Sequence, residues 1–152
     1  MGFKKKSLDE DECLRLDNQI CFPLYAVSKE VVRKYKPFLD EIGLTYTQYI
    51  VMMVIWEGKK LSVQELGERL YLDSGTLTPL LVKLEKKGLV ERSRSHKDER
   101  VVEIAATEKG TGLKVQAREI PKKISGCLGI SVKDVITLKK ILDKSLKNIT
   151  ES

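Results

Sequence analysis

Apolar side chains recur at three- and four-residue steps over several stretches of the chain and crowd into two short β-prone runs. From about Asp17, the positions Ile20, Leu24, Val27, Val31 and Lys34/Tyr35 mark one buried helix face. Pro23 fits such a helix only in its first turn, where a missing N–H is harmless, so Cys21 falls at or just before the first full turn. The pattern predicts a stop at Lys36-Pro37, because a residue before proline is pushed out of the α region. Thr45-x-x-Gln48 is a capping box ahead of the apolar run from Tyr49 to Trp56, which predicts a central helix buried on most sides and ended by Gly58. A second capping box, Ser62-x-x-Glu65, opens a short helix through Val63, Leu66 and Leu70. Asp73 or Ser74 caps a third, with Leu77, Leu80/Leu81 and Leu84 inward and Gly88 as its stop. Gly75 and Pro79 weaken that helix early and predict an irregular first turn.

The period then changes. Residues 89–92 (LVER) and 101–105 (VVEIA) predict a β-hairpin around the polar stretch SRSHKDER. Thr107-Glu108-Lys109 restarts a helix to about Ser125, bent or interrupted near Pro121, and Gly126 and Gly129 bracket a break. Ser131-x-x-Asp134 opens a last helix, with Val135, Leu138, Ile141/Leu142 and Leu146 on one side and lysines elsewhere. This order predicts a mainly α fold with a small β-hairpin wing: a winged helix-turn-helix over about 45–107, flanked by helices over about 16–40 and 108–150 of one 152-residue domain.

Composition narrows the function. With 41% apolar residues the chain can bury a core, and 33% charged residues suit solvated helix faces. The single histidine, His96, excludes a zinc site needing two. Cysteines 13, 21 and 127 form no C-x-x-C pair and are too scattered for a secreted disulfide scaffold, so neither metal nor cofactor is expected. No apolar stretch approaches the roughly 20 residues of a membrane span. The first dozen residues, MGFKKKSLDEDE, read as a frayed arm with no apolar signal-peptide region, and Lys6 stands where a myristoylation motif wants Ser or Thr. A cytoplasmic, reducing location follows. The net charge of +6 raises the prospect of nucleic acid. Residues 109–152, however, hold 10 basic and 4 acidic side chains, so almost all the excess lies on the last helices.

Two segments carry groups suited to DNA. The helix opening at Ser74 is polar in its first turn, with Ser74, Gly75, Thr76 and Thr78 able to face base edges and phosphates in a major groove. An ordinary helical hairpin on a core shares that pattern. The hairpin tip sets Arg92, Arg94, Lys97 and Arg100 against Asp98 and Glu99, which suits phosphates or a narrow minor groove; a solvated charged turn is the plain alternative. Asp98 is expected to pair with Arg94 or Arg100 and stiffen the tip.

The pieces LDNQICFPLY (16–25), YKPFLDEIGLTYTQY (35–49), LYLDSGTLTPLLVKLEKKGLV (70–90) and RSRSHKDER (92–100) together resemble the organic-hydroperoxide-sensing (OhrR) branch of the MarR family of regulators. That resemblance implies a homodimeric winged-helix repressor, joined through its terminal helices, that leaves double-stranded operator DNA once an organic hydroperoxide oxidises a cysteine. The residues agree. Cys21 lies where the unpaired N–H groups of a helix start favour the thiolate, the nucleophile towards a peroxide, and the product would be a sulfenic acid. A buried structural cysteine is the bland alternative.

By the same resemblance, Tyr35 and Tyr46 are two phenols that hydrogen-bond to the reactive sulfur. Cys21 and Tyr35 are 14 residues apart on one helix, about 21 Å along its axis. Tyr35 therefore reaches a Cys21 sulfur only from a partner subunit, with two such helices antiparallel. Interface packing is the other role open to both tyrosines. Tyr25, one turn beyond Cys21 on the same chain, is a weaker candidate. Cys127 matches in approximate position the distal cysteine that some members use for an intersubunit disulfide, but its setting, SGCLG, matches no motif, and a bystander role stays open. Cys13, in the arm, is incidental. Two other functions share some features: a MarR-type repressor released by a phenolic or acidic ligand in the dimer cleft, and a thiol peroxidase. The enzyme is disfavoured, since the sequence offers no resolving motif, cofactor loop or acid–base pair.

Overall fold

The computed structural model describes residues 11–58 and 60–151, so most of the expected frayed arm lies outside the described residues. The end of that arm is not frayed. Two 3-10 turns, Glu12–Leu14 and Leu16–Asn18, precede the first helix and carry Cys13. That helix, α1 (Cys21–Glu41), starts later than Asp17 and runs through Pro37 instead of stopping at Lys36. Pro37 removes one N–H from the helix ladder. Tyr35, Phe38 and the buried Leu39 pack on the core on either side of it, and this packing overrides the local penalty.

Gly43, with φ of +68°, turns the chain into α2 (Tyr46–Glu57), which opens on the expected capping box. The Gln48 N–H donates to Thr45 Oγ1 at 3.3 Å, and the Thr45 N–H donates to Gln48 Oε1 at 3.1 Å. Both end groups are thereby satisfied where the helix enters the core. Strand β1 (Leu61–Ser62) leads into α3 (Val63–Leu70) through the second capping box, and Tyr71, at φ of +54°, turns the chain towards the next helix. Asp73 caps α4 (Ser74–Lys86), its Oδ1 accepting the Thr76 N–H at 2.8 Å. The first turn of α4 is regular, against expectation, because that cap fixes it. Pro79 stands beyond the first turn and forfeits only the bond to Gly75.

The hairpin pairs β2 (Val90–Arg94) with β3 (Val102–Ala106), from Val90 opposite Ala106 to Arg94 opposite Val102. Sequence patterning did not anticipate β1, which pairs Leu61 with Ile104 and gives the sheet order β1-β3-β2. Beyond the sheet the chain forms α5 (Glu108–Ala117) and α6 (Ile120–Ile124), interrupted just before Pro121, and then α7 (Val132–Thr150). Gly126 and Gly129, both left-handed, shape the turn between α6 and α7.

Helix α2 is the centre of the core. Val51, Met52 and Ile55 are buried there with Leu66 of α3, Leu77, Leu81 and Leu84 of α4, and Ile104 of β3. Helix α5 crosses the start of β2 so closely that only Gly110 fits the crossing. Trp56 Nε1 fixes the same point by donating to the Gly110 carbonyl at 2.9 Å.

Much of the faces predicted to be buried on α1 and α7 is exposed, although Val31, Tyr35 and Leu138 are half-buried. Ile20 is 74% exposed, and Leu24, Val27, Leu142 and Leu146 are also exposed. Helix α7 contributes no buried residue at all. Among the described residues, no helix is long and apolar enough to cross a membrane.

Candidate functional site

Helices α3 and α4 form a helix-turn-helix with the hairpin beside it. Ser74, Gly75, Thr76 and Thr78 all lie exposed at the start of α4. The Thr76 hydroxyl is engaged locally, donating to Asp73 Oδ2 at 3.2 Å. Hydrogen bonds from the Thr76 backbone N–H and hydroxyl hold the Asp73 carboxyl below its ordinary range, so it stays ionised at the helix start. Thr78 lines a cavity of about 480 Å³ with Ser62, Gln64, Arg92 and Arg100, where α3, α4 and the sheet meet.

The wing arginines have distinct surroundings. Arg92 is tied to α4: its Nε and Nη2 donate to Glu85 Oε2 at 2.9 and 2.5 Å. Arg94 donates to the Glu99 carbonyl at 2.6 Å and closes the tip. Asp98 does stiffen the tip, but not by pairing with a guanidinium as expected. Its Oδ1 accepts the Arg100 backbone N–H at 3.0 Å, and its carbonyl accepts the Val101 N–H at 2.9 Å. A short carboxylate two residues before a free N–H forms this turn more readily than it reaches a long side chain. Among the described residues, the Lys97 ammonium and the Arg100 guanidinium find no acceptor, and Arg100 lines the cavity beside Thr78.

The cysteine site is split along α1. Cys21 is the first residue of the helix and is exposed. Four turns on, the Tyr35 ring meets the Tyr46 ring edge-on, with centroids 5.1 Å apart, and Tyr49 lies 6.0 Å from Tyr35. Burial raises the Tyr35 phenol above its ordinary pKa, with Tyr46, Tyr49 and Cys127 adding to the effect. Burial likewise raises Tyr46. Both phenols therefore remain protonated donors. Cys127 stands exposed in the turn after α6, beside α1, and lines a cavity of about 280 Å³ with Ala26, Val27, Glu30, Val31 and Lys34. The structure thus brings Tyr35 and Tyr46 together towards the far end of α1, sets Cys127 beside its middle and leaves Cys21 at its start. Tyr25 is exposed near Cys21, and Cys13 is exposed in its 3-10 turn.

Three contributors escaped the sequence reading. Tyr49 completes the phenol cluster, one turn after Tyr46 on α2, a spacing that does signal it. Glu85 holds Arg92 across the turn from α4 to β2, and Lys87 joins the end of α4 to the α1–α2 corner 39 residues away; no local pattern announces either.

A helix-turn-helix with a basic hairpin at its side defines a winged-helix protein of the DNA-binding class. Residues 33–116 match the family profile described as transcriptional regulator SarA/Rot. The chain belongs to the MarR family of winged-helix transcriptional regulators, on the branch of the organic hydroperoxide resistance regulators. It is 46% identical over 136 residues to an organic hydroperoxide resistance transcriptional regulator of Bacillus subtilis, covering 90% of this chain and 92% of that one. To the HTH-type transcriptional regulator SarZ of Staphylococcus aureus it is 50% identical over 119 residues, 78% of this chain and 80% of that one. Reduced AbfR bound to DNA, from a protein of Staphylococcus epidermidis, superposes with a TM-score of 0.74 at 33% identity, covering 93% of this chain and 99% of that one. A MarR mutant of E. coli complexed with operator DNA gives a TM-score of 0.79 at 26% identity, over 87% and 99% of the two chains. The protein is a DNA-binding regulator of transcription.

Proposed function

We propose that this protein is a homodimeric cytoplasmic repressor that holds operator DNA while Cys21 is a thiol and releases it once an organic hydroperoxide has oxidised that sulfur. One observation carries the proposal: Cys21 opens α1, whereas Tyr35 and Tyr46 meet towards its far end with Cys127 beside its middle, and much of the apolar surface of α1 and α7 is exposed. Tyr35 is about 21 Å from Cys21 along the axis, and the middle of the stretch of α1 beside Cys127 is roughly 14 Å from it. A phenol does not reach that far along its own helix, so one chain does not bring its own Tyr35 to Cys21. Two copies with antiparallel α1 helices bring each Cys21 to the partner's phenols and Cys127, while α1 and α7 bury their apolar faces.

The chemistry then balances. The Cys21 thiolate attacks the outer peroxide oxygen, the O–O bond breaks, and the alkoxide leaves as an alcohol after taking a proton. Cys21 becomes a sulfenic acid, stabilised by hydrogen bonds from the Tyr35 and Tyr46 hydroxyls. The partner's Cys127 thiolate attacks that sulfur, the S–O bond breaks as the disulfide forms, and the hydroxide leaves as water after taking a proton from solvent. Each Cys21 reacts once per switching event, so the oxidant is a signal and not a turned-over substrate.

DNA is held by two elements. Ser74, Gly75, Thr76 and Thr78 enter the major groove, while Arg92, Arg94, Lys97 and Arg100 serve the backbone and minor groove, with Asp98 shaping the tip. The DNA-bound AbfR and MarR relatives support DNA binding by this fold.

The test uses a fluorescent duplex selected from a random pool by the reduced wild-type protein. Titration by anisotropy with cumene hydroperoxide is expected to release wild type and leave Cys21→Ser bound. A wild type that stays bound in oxidant, or a mutant that releases equally, overturns the redox switch. Non-reducing gels of the same samples are expected to show a covalent dimer that Cys127→Ser abolishes. Arg100→Ala is expected to weaken binding and lower the slope of log affinity against log salt by about 1, whereas an unchanged slope removes the wing tip from the interface.

A further inference from the structure

Lys87 ends the recognition helix and is bound to the corner that carries the phenols. It is the C-cap of α4, and its ammonium donates to the Gly43 carbonyl at 2.6 Å and to Gln48 Oε1 at 3.0 Å. Both acceptors belong to the α1–α2 corner. Gln48 is buried, only 4% exposed, and the same Oε1 accepts the Thr45 N–H of the α2 capping box. Tyr46, whose ring packs on Tyr35, is the first residue after that cap. The Lys87 carbonyl is held in turn by Lys109 Nζ at 2.8 Å, and the next carbonyl, Gly88, by the Thr107 hydroxyl at 2.6 Å. One lysine therefore spans from the first turn of α2 to an end of α4 that is itself clamped. Helix α4 is 13 residues long, about 20 Å, and rigid, so a shift at its Lys87 end reappears at the Ser74 end.

We propose that Lys87 is a positioning residue that couples the state of the thiol site to the setting of α4, an inference that rests on the redox switch proposed above. Movement of Tyr46 on oxidation tilts the α2 cap. Gln48 Oε1 and the Gly43 carbonyl move with it, and the ammonium carries the displacement to the end of the recognition helix. A lysine that merely tethered two elements would strengthen DNA binding equally in both thiol states. A coupling lysine changes the difference between them.

The experiment measures the dissociation constant of the selected duplex for reduced and cumene-hydroperoxide-treated protein, in wild type, Lys87→Met and Lys87→Arg. Loss of the Cys21 thiol is followed in parallel by intact mass. The oxidised-to-reduced ratio is expected to be about tenfold smaller in Lys87→Met than in wild type, at an unchanged rate of thiol loss. Lys87→Arg, which keeps the charge and the reach, is expected to restore most of the ratio. A Lys87→Met protein whose two constants shift by one common factor, leaving the ratio as in wild type, overturns the coupling while the redox switch stands. A wild-type ratio of one overturns the switch, and the coupling with it. Should Lys87→Met melt below the assay temperature, Lys87→Gln, whose shorter side chain does not span to the corner, gives the same comparison.

Discussion

Gly110→Ala is expected to destabilise the protein by about 3 kcal/mol and lower its thermal midpoint by roughly 9 °C, an unusually large effect for one added methyl group. A Cβ at that position would lie 1.9 Å from the Leu89 carbonyl oxygen, 2.9 Å from its carbon and 3.3 Å from its Cα. All three are backbone atoms, so no rotamer change relieves the clash, and α5 must lift away from β2. The same Leu89 oxygen accepts the Thr107 N–H at 3.1 Å, and the Gly110 carbonyl receives the Trp56 indole, so lifting the helix strains bonds on both sides. Gly112, two residues on, has open space around its missing Cβ. Gly112→Ala should stabilise by about 0.5–1 kcal/mol, because only the helix propensity changes there. Melting curves followed by circular dichroism compare the two. A Gly110→Ala midpoint within about 2 °C of wild type would sink the close-approach argument.

Leu142→Glu with Leu146→Glu is expected to leave a monomer whose affinity for the selected duplex is about a hundredfold lower. Helix α7 buries nothing within its own chain, yet Val135, Leu138, Leu142 and Leu146 share one side of it. Each leucine covered by a second copy would contribute about 1.5–3 kcal/mol, and an unpaired carboxylate in its place adds a desolvation penalty. In the proposed dimer, losing the second copy would halve the reading surface and remove the gain from binding two half-sites at once. Size-exclusion chromatography with light scattering measures the mass directly. Lys140→Glu, on the opposite side of α7, should leave the assembly intact, so the pair separates a lost face from a generic change of charge. A doubly substituted protein that keeps the mass of a dimer would refute assembly through α7.

The capping boxes at Thr45 and Ser62, the Asp73 cap and the glycines after α4 and α6 were legible because each is a local device, complete within four residues. Pro37 was misleading for the opposite reason. A local rule ended α1 there, while Phe38 and Leu39 gain enough from distant partners to carry the helix past it. Strand β1 was invisible because two residues hold no period, and its pairing lies some 40 positions away in β3. The apolar stripes of α1 and α7 were read correctly as stripes, but a stripe does not say which chain covers it. Among the site residues, the resemblance supplied Cys21, Tyr35 and Tyr46, whereas the neighbours that orient the wing and the corner, Glu85 and Gln48 above all, required three dimensions.

The pair between Arg92, in the middle of β2, and Glu85, near the end of α4, ties the hairpin to the helix. In the docking proposed above, two elements tied in this way would meet the duplex largely as one unit. Part of the adjustment would then fall to the DNA, by bending or by narrowing its minor groove at the hairpin, and stiff sequences would resist this more than flexible steps. Preference among operators would then extend to base pairs that no side chain touches, written in the mechanical compliance of the double helix.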